Sequence, residues 1–96
     1  MDIQFQVLSE IVKAHADAES YFGNLQSSEE LLKAAQQSVE TSARRYARGV
    51  AEVQEVLNTQ SALADAELER VRSLAEWRSA RLRLMSRAGL MGRHAL

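Results

Sequence analysis

Few side chains in this sequence have a type and spacing that could do chemistry. Histidine occurs only at 15 and 94, in different segments, and neither has a ligand cluster around it. A metal centre therefore has no donor set to build on. His15 falls on an apolar stripe, where a packed or half-exposed imidazole is the plain expectation. Cysteine is absent, which removes disulfides, thiolate ligands and thiol nucleophiles. Acidic residues abound, yet none forms a spaced pair suited to general acid–base work. No Gly-rich phosphate loop and no nucleophile elbow occurs. The chain is expected to be no enzyme and to need no cofactor.

Charge excludes a further class. The net charge of −1 carries no bulk signal for nucleic acid. After Glu76 every charged side chain is an arginine: Arg78, Arg81, Arg83, Arg87 and Arg93. Cations suit the negative end of a helix dipole, so this run is expected to be a solvated helix end rather than a phosphate-binding patch. The first ten residues lack the basic start and apolar run of a signal peptide. No stretch approaches the roughly 20 apolar residues of a spanning helix. Nor do alternating segments of a membrane β-barrel appear. The polypeptide is expected to cross no bilayer itself.

The elements that would position any site are helices. With 96 residues one domain is expected, and proline is absent. Ala, Leu, Glu, Gln, Arg and Ser dominate, most of them good helix formers. In the first half, alternating steps of four and three pick out Leu8, Ile11, His15, Ala18, Phe22, Leu25, Glu29, Leu32, Gln36, Val39, Ala43, Tyr46 and Val50. That spacing marks one helical stripe. The neighbouring row is Val7, Ala14, Tyr21, Ser28, Ala35 and Ser42, mostly small, which lets another helix come close. The second half carries two stripes. One is Leu57, Ala64, Leu68, Val71, Ala75, Leu82 and Met85; the other is Val56, Leu63, Leu74, Trp77 and Leu84. A helix apolar on a broad or double face must touch more than one neighbour. Leu63, Leu68, Val71, Leu74 and Trp77 are the expected inter-helix packing residues.

Charge places the turn. Arg44, Arg45 and Arg48 precede Gly49, and Glu52 and Glu55 follow it. Cations belong at a helix C-terminus and anions in a first turn, each placement contributing roughly 0.3–1 kcal/mol. Gly49 suits the left-handed position that ends a helix. No Ser, Thr, Asp or Asn stands at the expected N-cap, which argues the other way. The sequence thus predicts an all-α fold, one long antiparallel helical hairpin. Helix one covers about 3–47, the tip about 48–51, helix two about 52–88, and a frayed C-terminus 89–96, with Gly89 and Gly92 marking the stop. Leu32, Val39 and Ala43 should face parts of the second stripe. Gly23 is expected to be merely tolerated.

The ordered set around the turn resembles the C-terminal repeat of the TolC family of outer-membrane efflux and secretion channels. Arg45-Tyr46 precedes Gly49 by a short interval. Glu55-Val56-Leu57 follows, then Gln60, Leu63, Ala66, an aromatic at Trp77, Ala80, Leu84 and Gly89. The run LNTQSALADA is similar to secretion-type members, including adenylate-cyclase-toxin exporters. The close likeness covers about 40–89; residues 1–39 fit by helical pattern and length. The resemblance implies a homotrimeric channel, with strands in a membrane β-barrel and long helices in a periplasmic α-barrel. Hairpin tips there meet a periplasmic membrane-fusion (adaptor) protein, and through it, indirectly, an inner-membrane transporter. It implies a place at the periplasmic face of the outer membrane. It also implies an adaptor-docking tip at Arg48, Gly49 and Val50, and aperture gating at Tyr46 and Asn58. Where the family often has aspartate, Asn58 leaves a neutral hydrogen bond in place of a charged link. Tyr46 packing simply on the seam is the competing expectation. The family repeats two hairpins and adds barrel strands, so this chain is expected to be a fragment of such a channel. The alternative is a freestanding hairpin that serves as a scaffold or partner-binding coiled coil.

Overall fold

A computed structural model describes the backbone over residues 2–95 and side chains over 2–89. The side chains of Arg93 and His94 lie outside the described residues. Two helices make up the fold, α1 (Asp2–Ala47) and α2 (Val53–Ala95), with no strand among the described residues. They are joined through residues 48–52 as a helical hairpin, the fold class that the stripes and the charge reversal predict. None of the described helices is long and apolar enough to cross a membrane.

Helix α2 runs on through Gly89 to Ala95, past the stop expected at Gly89. A helical glycine costs about 1 kcal/mol relative to alanine, too little to end a helix unless its left-handed conformation also caps the carbonyls behind it. Gly49 is the glycine with positive φ among the described residues, at 72°.

Two compact units divide the chain. The first, residues 26–72, contains the tip. Here α1 buries Ser28, Ala35 and Ser42, seven residues apart, and α2 buries Ala66 at 2% exposure. Leu32, Val39, Val56, Thr59 and Leu63 flank them half-buried. Ser42 and Thr59 meet across the seam, with their hydroxyl oxygens 2.7 Å apart. Each hydroxyl also lies close to a carbonyl three residues back on its own helix, Val39 at 3.1 Å and Val56 at 2.8 Å. Two hydroxyl protons serve three contacts. The shorter pair, Ser42 donating to Thr59 and Thr59 donating to Val56, satisfies both groups and leaves the Val39 contact as the alternative. Arg70 lies 3.9 Å from Glu29 across the same pair of helices.

The second unit joins residues 1–25 to 73–96. It buries Leu25, Ser73 and Ala80, with Val7, Ile11, Ala14, Tyr21, Leu74 and Leu84 half-buried around them. Phe22 and Trp77 stack with ring centroids 5.6 Å apart and planes tilted by 39°. The Arg81 guanidinium sits 5.5 Å from the Trp77 ring centre, a cation–π distance. Arg87 reaches Glu10 at 3.7 Å.

The seam therefore follows the small row of α1, not the large apolar stripe as a whole. Leu25 is buried and Leu32 and Val39 half-buried, while Leu8, Phe22, Ala43, Tyr46 and Val50 are exposed. The reason is steric. Alanine and serine let helix axes approach until backbones nearly touch, and larger side chains are then displaced to the flanks. On α2 the second stripe, Val56, Leu63, Leu74, Trp77 and Leu84, is half-buried throughout. The first stripe points away: Leu57 is 50% exposed and Leu68 and Val71 are each 61% exposed. Of the residues expected to pack between helices, Leu63, Leu74 and Trp77 are half-buried, while Leu68 and Val71 are exposed.

A seam of this kind predicts an asymmetric response to bulk. Ala66→Leu should overpack the closest approach and cost about 1–3 kcal/mol. Ala64→Leu, two positions away on the outward face, should stay within about 0.5 kcal/mol of the parent. Urea denaturation followed by circular dichroism reads both, and equal midpoints for the two variants would refute a close small-residue contact.

Candidate functional site at the hairpin tip

Backbone geometry builds the tip before any side chain does. Helix α1 ends when Gly49 turns left-handed, a conformation that costs an L-residue with a Cβ roughly 1–2 kcal/mol. That turn lets the Val50 N–H donate to the Arg45 carbonyl at 2.9 Å and the Gly49 N–H donate to the Tyr46 carbonyl at 3.0 Å. This six-to-one and five-to-two pattern is the Schellman motif, which satisfies carbonyls that a helix end leaves open. The Arg48 N–H still donates to Arg44 at 3.1 Å, the last α-type bond. The first turn of α2 is closed by the Glu55 N–H on the Glu52 carbonyl at 3.1 Å. Backbone thus starts α2 where the sequence supplies no capping hydroxyl or amide.

Charge then ties the two helix ends. Arg45 Nη1 meets Glu55 Oε1 at 2.5 Å, with both side chains partly exposed. One arginine consequently holds the tip twice, through its carbonyl and through its guanidinium. Surface pairs of this kind contribute about 0.2–1 kcal/mol each. The sequence placed these charges by their helix dipoles; it did not reveal that they meet. The ten-residue interval across a glycine turn was the signal available. The Ser42–Thr59 hydroxyl pair was missed likewise, because each residue alone reads as ordinary helix surface.

The residues singled out for docking are all at the surface. Arg48 and Gly49 are exposed, and Val50 is 65% exposed, an apolar side chain with nothing of its own chain to cover most of it. A Cβ built at Gly49 would meet no atom within 4 Å, so the space over the turn is open. Tyr46 is 51% exposed, with its ring beside the turn rather than buried in the seam. Asn58 is exposed on the first turns of α2, where its Oδ1 accepts from Gln54 Nε2 at 2.9 Å. The structure gathers Tyr46, Arg48, Gly49 and Val50 in one local motif. Asn58 instead belongs to a pairing along α2. His15 stands exposed in the other unit, 3.7 Å from Glu19 on its own helix. No group of three or more candidate metal-binding side chains occurs among the described residues. The tip offers apolar surface, cations and approachable backbone.

A family described as outer membrane efflux protein matches residues 4–90. No curated protein and no solved structure matches the chain.

The glycines at 49 and 23 should answer to alanine with opposite signs. At Gly49 the cost is backbone conformation, not crowding, so Gly49→Ala should destabilise by about 1–2 kcal/mol and Gly49→Asn by less. At Gly23, inside α1 and with nothing within 4 Å of a built Cβ, alanine should stabilise by about 0.5–1 kcal/mol. Thermal melts of the three variants beside the parent check this; a rise in melting temperature for Gly49→Ala would exclude the left-handed cap.

Proposed function

The chain belongs to the outer membrane efflux protein family, and from that premise we propose that its hairpin forms part of the periplasmic wall of a trimeric export channel and docks an adaptor protein with its tip. The family is one of outer-membrane transport channels rather than of enzymes. One observation carries the wall assignment: α2 is apolar on two faces. Val56, Leu63, Trp77 and Leu84 lean toward the seam, while Leu57, Leu68, Val71, Leu82 and Met85 are each at least half exposed. A helix in a closed wall of helices has a neighbour on either side and needs an apolar stripe for each. Charged residues then occupy the surfaces left to water.

The docking assignment rests on the tip. Val50 supplies apolar surface, Arg48 a cation, and Gly49 a backbone that another chain can reach closely. In the same reading Tyr46 lends its phenol to the closed entrance, where its hydroxyl can bridge to a polar group of a neighbouring hairpin. Secretion of a protein cargo through a type I system is the form of transport that the LNTQSALADA run favours. An adaptor in the periplasm would link the channel to its inner-membrane transporter.

Export by a full-length channel carrying this hairpin tests the proposal. Gly49→Trp should abolish export and adaptor crosslinking while the trimer still forms. Gly49→Ala shares the backbone strain without the bulk and should retain both. Normal export and unchanged crosslinking in the Trp variant would leave Gly49 as a turn residue only. Tyr46→Phe should raise leak through the resting channel modestly, in proportion to one hydrogen bond, about 0.5–1.5 kcal/mol.

A further inference from the structure

Two contacts of Arg45 close a ring at the tip. Its carbonyl accepts from the Val50 N–H at 2.9 Å, a bond that caps α1. Its guanidinium meets the Glu55 carboxylate at 2.5 Å, and the Glu55 N–H on the Glu52 carbonyl closes the first turn of α2. The path runs from the Arg45 carbonyl through Val50, along the chain to Glu55, and back through the carboxylate to the guanidinium. All of it lies within the unit of residues 26–72. One turn behind, the Ser42–Thr59 contact joins the same two helices, so loss of the bridge leaves them joined and acts on the turn alone. Arg44 and Glu52 supply a contrast. They stand at the same two helix ends, both exposed, but Arg44 contacts Thr41 on its own helix at 3.4 Å.

We propose that the Arg45–Glu55 bridge is an ionic lock on the left-handed cap, so that salt loosens the turn that presents Val50. A helix dipole acts on each charge separately, and the effects of two such charges add. A bridge inside a closed ring behaves otherwise: removing either partner removes the whole contact. The side chains of Arg45 and Glu55 are 47% and 38% exposed, so dissolved ions reach them. The screening length falls from about 10 Å at 0.1 M salt to about 3 Å at 1 M, enough to weaken an exposed pair. A surface bridge shifts a local opening equilibrium about two- to fivefold. The turn therefore stays formed, while the fraction of time that it is open follows ionic strength. The lock is a property of the tip itself and holds whether or not the tip docks a partner.

Amide hydrogen exchange at the Val50 N–H, followed by NMR on the folded 96-residue chain, tests it. Positions 45 and 55 are not chain neighbours of 50, so substitutions there leave the intrinsic exchange rate of that amide unchanged. The measured rate then reads opening alone. Arg45→Gln and Glu55→Gln should each speed exchange about two- to fivefold, and the double variant no more than either single one. The effects of Arg44→Gln and Glu52→Gln should instead multiply in their double variant. Raising salt from about 0.1 M to about 1 M should speed exchange in the parent by a similar factor and change the Glu55→Gln variant little. A double variant at 45 and 55 whose effect is the product of the singles would return each charge to its own dipole and overturn the proposal. A parent in which Val50 exchange ignores salt, or runs at the unprotected rate, would overturn it as well.

Discussion

Everything in this hairpin depends on how closely two helices can approach. Ser28, Ala35 and Ser42 on α1, and Ala66, Ser73 and Ala80 on α2, are buried at intervals of seven. With such short side chains in the contact, backbone lies near backbone and dispersion between the helices is gained at short range. The same choice limits what hydrophobic burial can contribute. No large side chain is fully buried among the described residues. At roughly 25 cal/mol per Å² of apolar surface, a seam of methyl and hydroxymethyl groups removes little area from water. Large residues are displaced outward, where they become surface for other molecules. A tight seam and an apolar exterior are thus two results of one packing decision.

The polar contacts sit where that weak seam needs direction. Ser42 with Thr59, Arg45 with Glu55, Glu29 with Arg70, and Glu10 with Arg87 each join α1 to α2. Each is modest, exposed or part-buried, and open to exchange with water. Their value lies in selecting partners along the helices rather than in strength. The aromatic pair Phe22 and Trp77, with Arg81 over the indole, does the same in the unit away from the tip. Edge-to-face and tilted ring pairs add about 0.5–1.5 kcal/mol beyond their buried area, a useful increment in a seam otherwise poor in large side chains.

Much of this was legible in the amino-acid sequence. The absence of proline, the helix-forming composition and the reversal of charge at Gly49 were enough for a helical hairpin. The double stripe on α2 was visible as two rows. What periodicity could not assign was which row meets which neighbour. It reports faces of a helix, whereas packing is settled by the shape of both partners. Leu8 and Tyr46 read as seam because they are apolar and correctly spaced, yet the seam went to the smaller residues beside them, and Phe22 joins it only at its edge, through its stack on Trp77. The end of α2 was misplaced because Gly89 and Gly49 look alike as letters. Among the described residues only Gly49 takes a positive φ, and α2 runs on helically through Gly89. At the tip, the identities of Arg45 and Glu55 were noted for their dipoles, and their meeting required a turn geometry that composition does not encode.

The repeat of small residues at every seventh position has a consequence for alignment. Such a seam is nearly periodic. If α1 slid past α2 by one repeat, small side chains would again meet small ones, since Ser28, Ala35 and Ser42 differ by a single oxygen at most. The small side chains at the centre of the seam therefore discriminate poorly between one alignment and the next. The tip supplies what they lack. Five residues held by four backbone hydrogen bonds and a fixed left-handed glycine leave no slack for a repeat-length shift. The turn acts as the origin of a ruler whose small-residue marks are alike, and the cross-helix polar pairs are read off from that origin.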